Sequence, residues 1–220
     1  MPEERNRVIV SHLSDLHFCS SENAANNLKA DKITENVYYV GDLMKDLLLK
    51  NLSSDSLCSE PYLFCTIHRN YNKNDPEKLK ALLHKLSQLP KKIYFSVHPA
   101  TLTLMADYGI DLKAYRNIIF LPPLSYNHSI AYQKGADAII TDSGGIQKEA
   151  YWLKKMCITI RKETEWIETL KGKWNQLLYG DLNSLPYLLN TIPAEEEYNA
   201  ELYGNGQAGG NIRKILSKLI

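Results

Sequence analysis

Short apolar segments alternate with amphipathic segments over most of this 220-residue chain. Between the apolar segments, leucines recur at helical spacing, most clearly over residues 76–89, where Asp75 and Pro76 form a helix start. Strands separated by helices predict a parallel sheet covered on both faces, so we expect an α/β fold. The predicted strands of this sheet are residues 62–67, 93–97, 117–121, 138–141 and 157–160.

Polar residues follow several predicted strands at the point where each strand ends. His68 comes after the first strand, His98 after the second, and Arg161 after the last. Parallel α/β sheets bind ligands outside the carboxyl ends of their strands, so these side chains are candidates for a site. Ordinary alternatives stay open at this point, because His68 can cap a neighbouring helix and His98 can have a structural role.

The segment 141–150, TDSGGIQKEA, joins a predicted strand to a predicted helix. The first N–H groups of a helix lack partners within it and favour an anion, which makes this turn a candidate phosphate cradle. Gly144 and Gly145 allow close approach to the backbone, since neither carries a Cβ. Glu149, about one turn further on, is suited to accept hydrogen bonds from sugar hydroxyls. The alternative is a plain helix start with Ser143 as its N-cap.

Composition limits the class of partner. With 44% hydrophobic and 23% charged residues, the chain is expected to fold into a packed core. A net charge of +1 and the lack of an apolar run of about 18 residues predict neither a nucleic-acid nor a membrane partner. Four cysteines without metal-ligand spacing and an N-terminus without a signal sequence predict a cytoplasmic protein with no bound metal. Residues 204–209 match GxGxxG, but no apolar strand precedes them.

Several segments together resemble the non-hydrolysing UDP-N-acetylglucosamine 2-epimerases. The resemblance covers nearly the whole chain, in order and at compatible spacing. Its motifs are P-E-E-x-N-R at 2–7, T-x-H-R at 66–69, V-H-P at 97–99, P-x-x-Y at 123–126, D-S-G-G-I-Q-x-E-A at 142–150, Arg161, T-E-x-x-E at 164–168 and Y-G-x-G at 203–206.

The resemblance implies a GT-B-type fold of two Rossmann-like domains. Residues 1–52 would be a remnant of the N-terminal α/β domain, and residues 53–220 the UDP-binding domain. The family inverts C2 of a UDP-linked N-acetylhexosamine by eliminating UDP and adding it back after protonation from the other face. This isomerase chemistry needs acids and bases on two faces and donors for the departing diphosphate, but no cofactor.

The resemblance also implies the site residues, which are carried over position by position. Glu3 and His68 would be catalytic. Ser143, Gly144 and Gly145 would hold the diphosphate, Glu149 the ribose hydroxyls, and Arg161 the nucleotide, while Leu124 and Ser129 would lie at the uridine. No metal site is implied.

This sequence departs from the family pattern in three ways. Met1 stands just before the P-E-E-x-N-R segment, so most of the family's first domain, with its other acidic catalytic residues, is expected to be missing. Tyr71 replaces a common Glu, and Ser129 replaces a common Phe near the base. The chain is therefore expected to be a truncated epimerase that acts with a complementary N-terminal domain or as a homodimer. A UDP-binding module without catalysis and a GT-B glycosyltransferase remnant are the alternatives.

Overall fold

The computed structural model describes residues 2–52, 58 and 60–219, with side chains from residue 5 onward. Two compact units are present: Met1–Asn51 together with Asn199–Ile220, and Leu52–Tyr198. The boundary expected between residues 52 and 53 borders residues 53–57, which are outside the described residues. The sequence had placed the C-terminal segment in the second domain, whereas its contacts group it with the first unit.

Eight strands are present in the described part of the chain. They are β1 (His17–Cys19), β2 (Val37–Tyr39), β3 (Tyr62–Thr66), β4 (Lys92–Ser96), β5 (Ile118–Leu121), β6 (Ala138–Thr141), β7 (Met156–Thr159) and β8 (Asn175–Leu177).

The α-helices of the described residues are α1 (Pro2–Leu13), α2 (Glu22–Ala30), α3 (Leu43–Lys50), α4 (Asn70–Lys73), α5 (Pro76–Ser87), α6 (Pro99–Asp107), α7 (Tyr126–Gly135), α8 (Gly144–Trp152), α9 (Leu185–Leu189) and α10 (Ala208–Leu216). Short 3-10 stretches add Leu112–Ala114, Ile167–Lys173, Leu182–Ser184 and Glu195–Glu197. No described helix combines the length and the apolar character needed to span a membrane.

The second unit contains a six-stranded, all-parallel sheet in the order β5-β4-β3-β6-β7-β8. This confirms the predicted α/β fold with a parallel, Rossmann-like sheet. Every residue of the central strands β3, β6 and β7 is buried, as expected for a sheet covered on both faces. The outer strands β4 and β5 expose part of their residues.

Helix α5 shows how the sequence pattern leads to packing. The Asp75 carboxylate accepts hydrogen bonds from the N–H groups of Glu77 and Lys78, so it caps the helix as predicted. The four leucines at helical spacing are buried against the sheet in the main core, which identifies this face correctly from the sequence. They are Leu79, Leu82, Leu83 and Leu86.

The first unit has a two-stranded parallel sheet, β1-β2, with helices α1–α3 and α10. Glycines let two of its backbone segments approach closely. Gly41 and Gly204 both have positive φ, and a Cβ on Gly204 would lie 2.9 Å from Cα of Gly41. Gly204, the first glycine of the 204–209 match, therefore serves a close backbone contact with Gly41.

A buried lysine also holds the C-terminal segment to the first unit. The Lys45 ammonium donates hydrogen bonds to the carbonyl oxygens of Ala200, at 2.6 Å, of Leu202, at 3.2 Å, and of Gly204. Burial lowers the pKa of Lys45, and the Glu201 charge opposes this. Ammonium donors on three carbonyls explain why residues 199–220 group with the first unit rather than with the sheet they follow.

Candidate functional site

The candidate site lies where the strand order of the six-stranded sheet reverses. The chain runs outward from β3 to β4 and β5 on one side, then returns to β6 on the other side of β3. The two loops that leave β3 and β6 therefore diverge to opposite sides and open a crevice at the carboxyl ends. His68 lies just after β3, and Asp142 and Ser143 lie just after β6.

Asp142 joins these two loops. Its side chain is fully buried, and its carboxylate accepts hydrogen bonds from the N–H groups of His68, at 3.1 Å, and Arg69, at 2.9 Å. Asn72 Nδ2 donates to the same carboxylate at 2.9 Å and to the Ile160 carbonyl at 2.9 Å. Asp142 thus fixes the position of the His68 loop, and Asn72 extends this connection to the end of β7.

The His68 ring remains accessible although its backbone is held. Its Nδ1 lies 3.8 Å from Oδ1 of Asp142, and its side chain is 41% exposed. An imidazole beside a buried carboxylate at the rim of a crevice is suited to proton transfer or to contact with an anion. His98, by contrast, is the N-cap of α6, where its Nδ1 accepts a hydrogen bond from Ala100 N at 3.2 Å. The structural role expected for His98 is confirmed.

The turn before α8 leaves the helix start open. Ser143 is the N-cap residue, but its side chain makes no capping hydrogen bond, and its N–H donates to Thr141 Oγ1 at 3.0 Å. The first N–H groups of a helix have no partner within it, so Gly144 and Gly145 present donors at the positive end of the helix dipole. Ser143 thus occupies the N-cap position expected of a plain helix start, but its hydroxyl does not close that start.

Arg161 lies beside this helix start. A Cβ on Gly144 would lie 4.0 Å from Nη1 of Arg161 and 3.1 Å from Nε1 of Trp166. The guanidinium donates to both carboxylate oxygens of Glu165, each at 2.8 Å, and Tyr71 contacts the same group. The bond to Glu165 raises the pKa of Arg161, although burial opposes it. A fixed cation next to free N–H donors is chemistry suited to phosphate.

A polar network that the sequence did not reveal holds the loop after Arg161. Gln147 Oε1 accepts hydrogen bonds from Thr164 Oγ1, at 2.6 Å, and Asn175 Nδ2, at 3.1 Å. Asn175 Oδ1 in turn accepts from Thr159 Oγ1 at 2.6 Å. Gln147 lies one turn after Ser143 on α8, a spacing that gives the available signal. Asn175 lies on β8, which was not predicted because the strand has three residues and two of them are polar.

Glu149 is buried on the other side of α8. Its side chain is 5% exposed as a residue, and Oε2 accepts a hydrogen bond of 2.7 Å from Gln133 Nε2. Burial raises the pKa of Glu149, whereas the Gln133 hydrogen bond and the Lys148 charge lower it. Ser129 Oγ accepts from the same Gln133 nitrogen at 3.2 Å. Ser129 and Glu149, predicted separately, thus meet through Gln133.

Leu124 and Glu3 are the other two predicted site residues. Leu124 packs at the edge of the smaller core cluster formed around Tyr62 and Phe64. Glu3 lies in α1 of the first unit, and its side chain is outside the described residues. The roles assigned to these residues stay predictions. Within the described part of the chain, no group of three or more His, Cys, Asp or Glu side chains is placed to hold a metal ion.

A cavity of about 460 Å³ lies at the opposite end of the strands, where the parallel sheet begins. Leu63, Ala138 and Met156, all at the amino ends of their strands, contribute to its lining. Since ligands of such sheets bind at the carboxyl ends, this cavity is separate from the candidate site.

Comparison with known proteins agrees with the geometry. The family model for UDP-N-acetylglucosamine 2-epimerase matches residues 1–217. A UDP-N-acetylglucosamine 2-epimerase homolog of Methanococcus maripaludis is 35% identical and is aligned over 100% of this chain and 65% of its own length. A UDP-2,3-diacetamido-2,3-dideoxy-D-glucuronate 2-epimerase of Pseudomonas aeruginosa is 30% identical over 100% of this chain and 64% of its own length.

Solved structures give the same result. The crystal structure of Methanocaldococcus jannaschii UDP-GlcNAc 2-epimerase in complex with UDP-GlcNAc and UDP has a TM-score of 0.89 and 31% identity. The match covers 99% of this chain and 65% of that one, and these neighbours have the GT-B-type fold. This chain therefore spans about 65% of the length of the relatives it matches. The family model, the relatives and the fold all agree, and the chain belongs to the UDP-N-acetylglucosamine 2-epimerase family.

Proposed function

We propose that this chain binds the UDP part of a UDP-linked N-acetylhexosamine and takes part in inverting that sugar at C2. The observation that carries the proposal is the group of donors at the crevice of the sheet. The uncapped start of α8 and the Arg161 guanidinium lie together at the carboxyl ends of β6 and β7. Backbone donors plus a fixed cation suit a diphosphate, and the M. jannaschii relative was solved with UDP.

The proposed reaction begins with removal of the C2 proton and cleavage of the C1–O bond, which releases UDP and leaves an unsaturated sugar. Protonation of C2 from the opposite face and return of UDP to C1 complete the inversion. Charge develops on the departing diphosphate, and Arg161 with the N–H groups of Gly144 and Gly145 would stabilise it. His68, with an accessible ring at the same crevice, is assigned to proton transfer or phosphate contact.

Glu149 is assigned to the ribose hydroxyls, because a buried carboxylate one turn beyond the phosphate cradle is an acceptor for a diol. Leu124 and Ser129 are assigned to the uridine. Glu3 is assigned to acid–base chemistry on the resemblance alone. The proposal names a class of 2-acetamido sugars, because the M. jannaschii relative is named for UDP-GlcNAc and the P. aeruginosa relative for UDP-2,3-diacetamido-2,3-dideoxy-D-glucuronate.

The cytoplasm is the proposed location, and a complementary domain or a second copy of the chain is the proposed partner. Cys19, Cys65 and Cys157 are buried thiols without disulfides, which supports a reducing compartment. The relatives extend over about half as much again as this chain, so a partner supplying the unmatched region is the natural one to test.

Incubation with UDP-N-acetylglucosamine in D2O tests the reaction. Epimerisation exchanges the C2 proton with solvent, so the C2 proton signal is lost by NMR and the manno epimer appears. The chain is tested alone and mixed with the region of the M. jannaschii relative that this chain does not match. Conversion in the mixture that disappears with His68→Ala supports the proposal. UDP binding without conversion in either sample would favour the binding-module alternative, and transfer of the sugar to an acceptor would favour a glycosyltransferase.

A further inference from the structure

A hydrogen-bonded triad links helices α7 and α8 next to the proposed nucleotide site. Ser129 and Gln133 are four residues apart on α7 and therefore lie on the same face of that helix. Gln133 Nε2 donates to Ser129 Oγ at 3.2 Å and to Glu149 Oε2 at 2.7 Å. Gln133 is fully buried, and Glu149 is 5% exposed.

The orientation of the Gln133 amide is fixed by charge. The reverse orientation would place the amide oxygen against the Glu149 carboxylate, and two acceptors would then face each other. In the orientation present, Gln133 Oε1 has no hydrogen-bond partner among the described residues. A buried acceptor without a partner lowers the stability of the fold, so the two hydrogen bonds made by Nε2 must stabilise it by more than this.

The triad affects both the charge and the orientation of the Glu149 carboxylate, and the proposed role of Glu149 depends on both. Burial favours the neutral form of Glu149, and the Gln133 hydrogen bond favours the charged form. Gln133 also restricts the carboxylate to one orientation because it binds Oε2. Each carboxylate oxygen can accept two hydrogen bonds, so a carboxylate held through Oε2 keeps acceptor capacity for further donors.

We propose that Gln133, together with Ser129, is a positioning residue that fixes the Glu149 carboxylate for recognition of the ribose 2′- and 3′-hydroxyls of the nucleotide. This inference rests on the proposed function, because it assigns Glu149 to the ribose. Ser129 supplies a second acceptor for the Gln133 amide nitrogen, so both bonds of that nitrogen hold the amide in the orientation that donates to Glu149. Gln133 is thus a determinant of selectivity for ribonucleotides over deoxyribonucleotides.

Calorimetric titration with UDP and with 2′-deoxy-UDP tests the proposal. The wild-type chain should bind UDP at least about tenfold more tightly than 2′-deoxy-UDP, since a hydroxyl bonded to a charged acceptor is lost. Gln133→Met keeps the volume but removes the amide donor. It should weaken UDP about tenfold and 2′-deoxy-UDP much less, so that the ratio of the two affinities falls towards one.

Two further variants keep the test decisive. Ser129→Ala removes one of the two amide bonds and leaves the core unaltered, so it should reduce the ratio in the same direction by a smaller factor even if Gln133→Met folds poorly. Gln88→Met, at the C-terminal end of α5, is the matched control and should leave both affinities unchanged.

The outcomes separate the two proposals. If the wild-type chain does not bind UDP, the proposed function fails and the role of Gln133 fails with it. If it binds UDP, but Gln133→Met and Ser129→Ala weaken UDP and 2′-deoxy-UDP by equal factors, Gln133 is only a packing residue and the positioning role is overturned.

Discussion

Arg161 donates one hydrogen bond to each carboxylate oxygen of Glu165, both 2.8 Å long. The pair is asymmetric in exposure, since the Arg161 side chain is 10% exposed and that of Glu165 is 56% exposed. Glu165 uses two of the five guanidinium donors and Tyr71 also bonds to the group, so part of the donor set remains for a ligand beside Gly144. The hydrogen bonds also hold the pKa of Glu165 below its ordinary value, against the effect of burial. The carboxylate therefore orients the cation without using all its donors.

Replacing Arg161 by lysine should weaken UDP binding by about tenfold or more. A lysine ammonium keeps the charge but lacks the planar fork, and it cannot hold Glu165 and a phosphate at once in the same geometry. Titration calorimetry with UDP measures the effect. Arg116→Lys, at an exposed position of the same unit, is the control and should bind UDP as the wild type does. Equal affinities for Arg161→Lys and wild type would remove Arg161 from the site.

Gly144→Ala should abolish most UDP binding while lowering stability only modestly. The new Cβ would lie 3.1 Å from Trp166 Nε1, so the indole must shift by a few tenths of an ångström, and the methyl group would also cover the helix start. Gly210→Ala in α10 is the matched control, because its Cβ would meet Gln207 Oε1 at an ordinary 3.6 Å. Thermal unfolding with and without UDP measures both effects. A UDP-induced shift as large in Gly144→Ala as in Gly210→Ala would contradict the phosphate cradle.

Asp142→Asn should destabilise the second unit by about 2 kcal/mol, since one acceptor oxygen becomes an amide donor facing N–H groups. The affected donors are His68 N, Arg69 N and Asn72 Nδ2. For a chain of this size the melting temperature should fall by roughly 4–8 °C. Asp111→Asn is the control, because asparagine caps a helix as well as aspartate does. A melting temperature for Asp142→Asn equal to that of the control would show that Asp142 does not join the two loops.

Glu149→Gln should gain stability relative to the wild type as pH rises. Burial raises the pKa of Glu149 above its ordinary value of 4.5, although Gln133 and Lys148 oppose this. A carboxyl group with a higher pKa in the folded state binds more protons there, so its free energy of unfolding falls as pH rises between the two pKa values. The variant lacks this loss. The higher free energy of unfolding of Glu149→Gln relative to the wild type should be absent near about pH 4, below both pKa values, and present near about pH 7.

Melting temperatures of both proteins across this pH range give the measurement. Glu196→Gln, at an exposed position, should follow the wild-type curve throughout. A difference between Glu149→Gln and wild type that stays constant with pH would show that Glu149 has the same pKa in both states.

The sequence predicted the elements that carry strong local signals. The leucines of α5 at helical spacing, the Asp75 cap and the β-branched residues of β6 identify these elements correctly, because burial and local hydrogen bonds act within a few residues. It missed β1 and β8, which have three residues each and contain polar side chains. Such short strands form because neighbouring strands provide hydrogen-bond partners, and a local pattern does not contain that information.

The site residues also divide into those that the sequence predicts and those that only the fold reveals. Strand ends predicted His68, Ser143 and Arg161, since topology brings the carboxyl ends of parallel strands together. Gln133 and Asn175 were not predicted, because their importance depends on contacts across 16 and 28 residues of chain with Glu149 and Gln147. A glutamine inside a helix looks like an exposed polar residue until the facing helix is known. The role of Tyr71 beside Arg161 was likewise visible only from the fold.

Titration of UDP into the chain by calorimetry is the most direct test of the central claim, which is that the crevice between β3 and β6 holds a UDP diphosphate. We expect saturable binding of one UDP per chain, with weaker binding of UMP, which lacks the second phosphate, and a loss of affinity in Gly144→Ala but not in Gly210→Ala. Absence of binding at millimolar UDP, or binding that Gly144→Ala leaves unchanged, would contradict it.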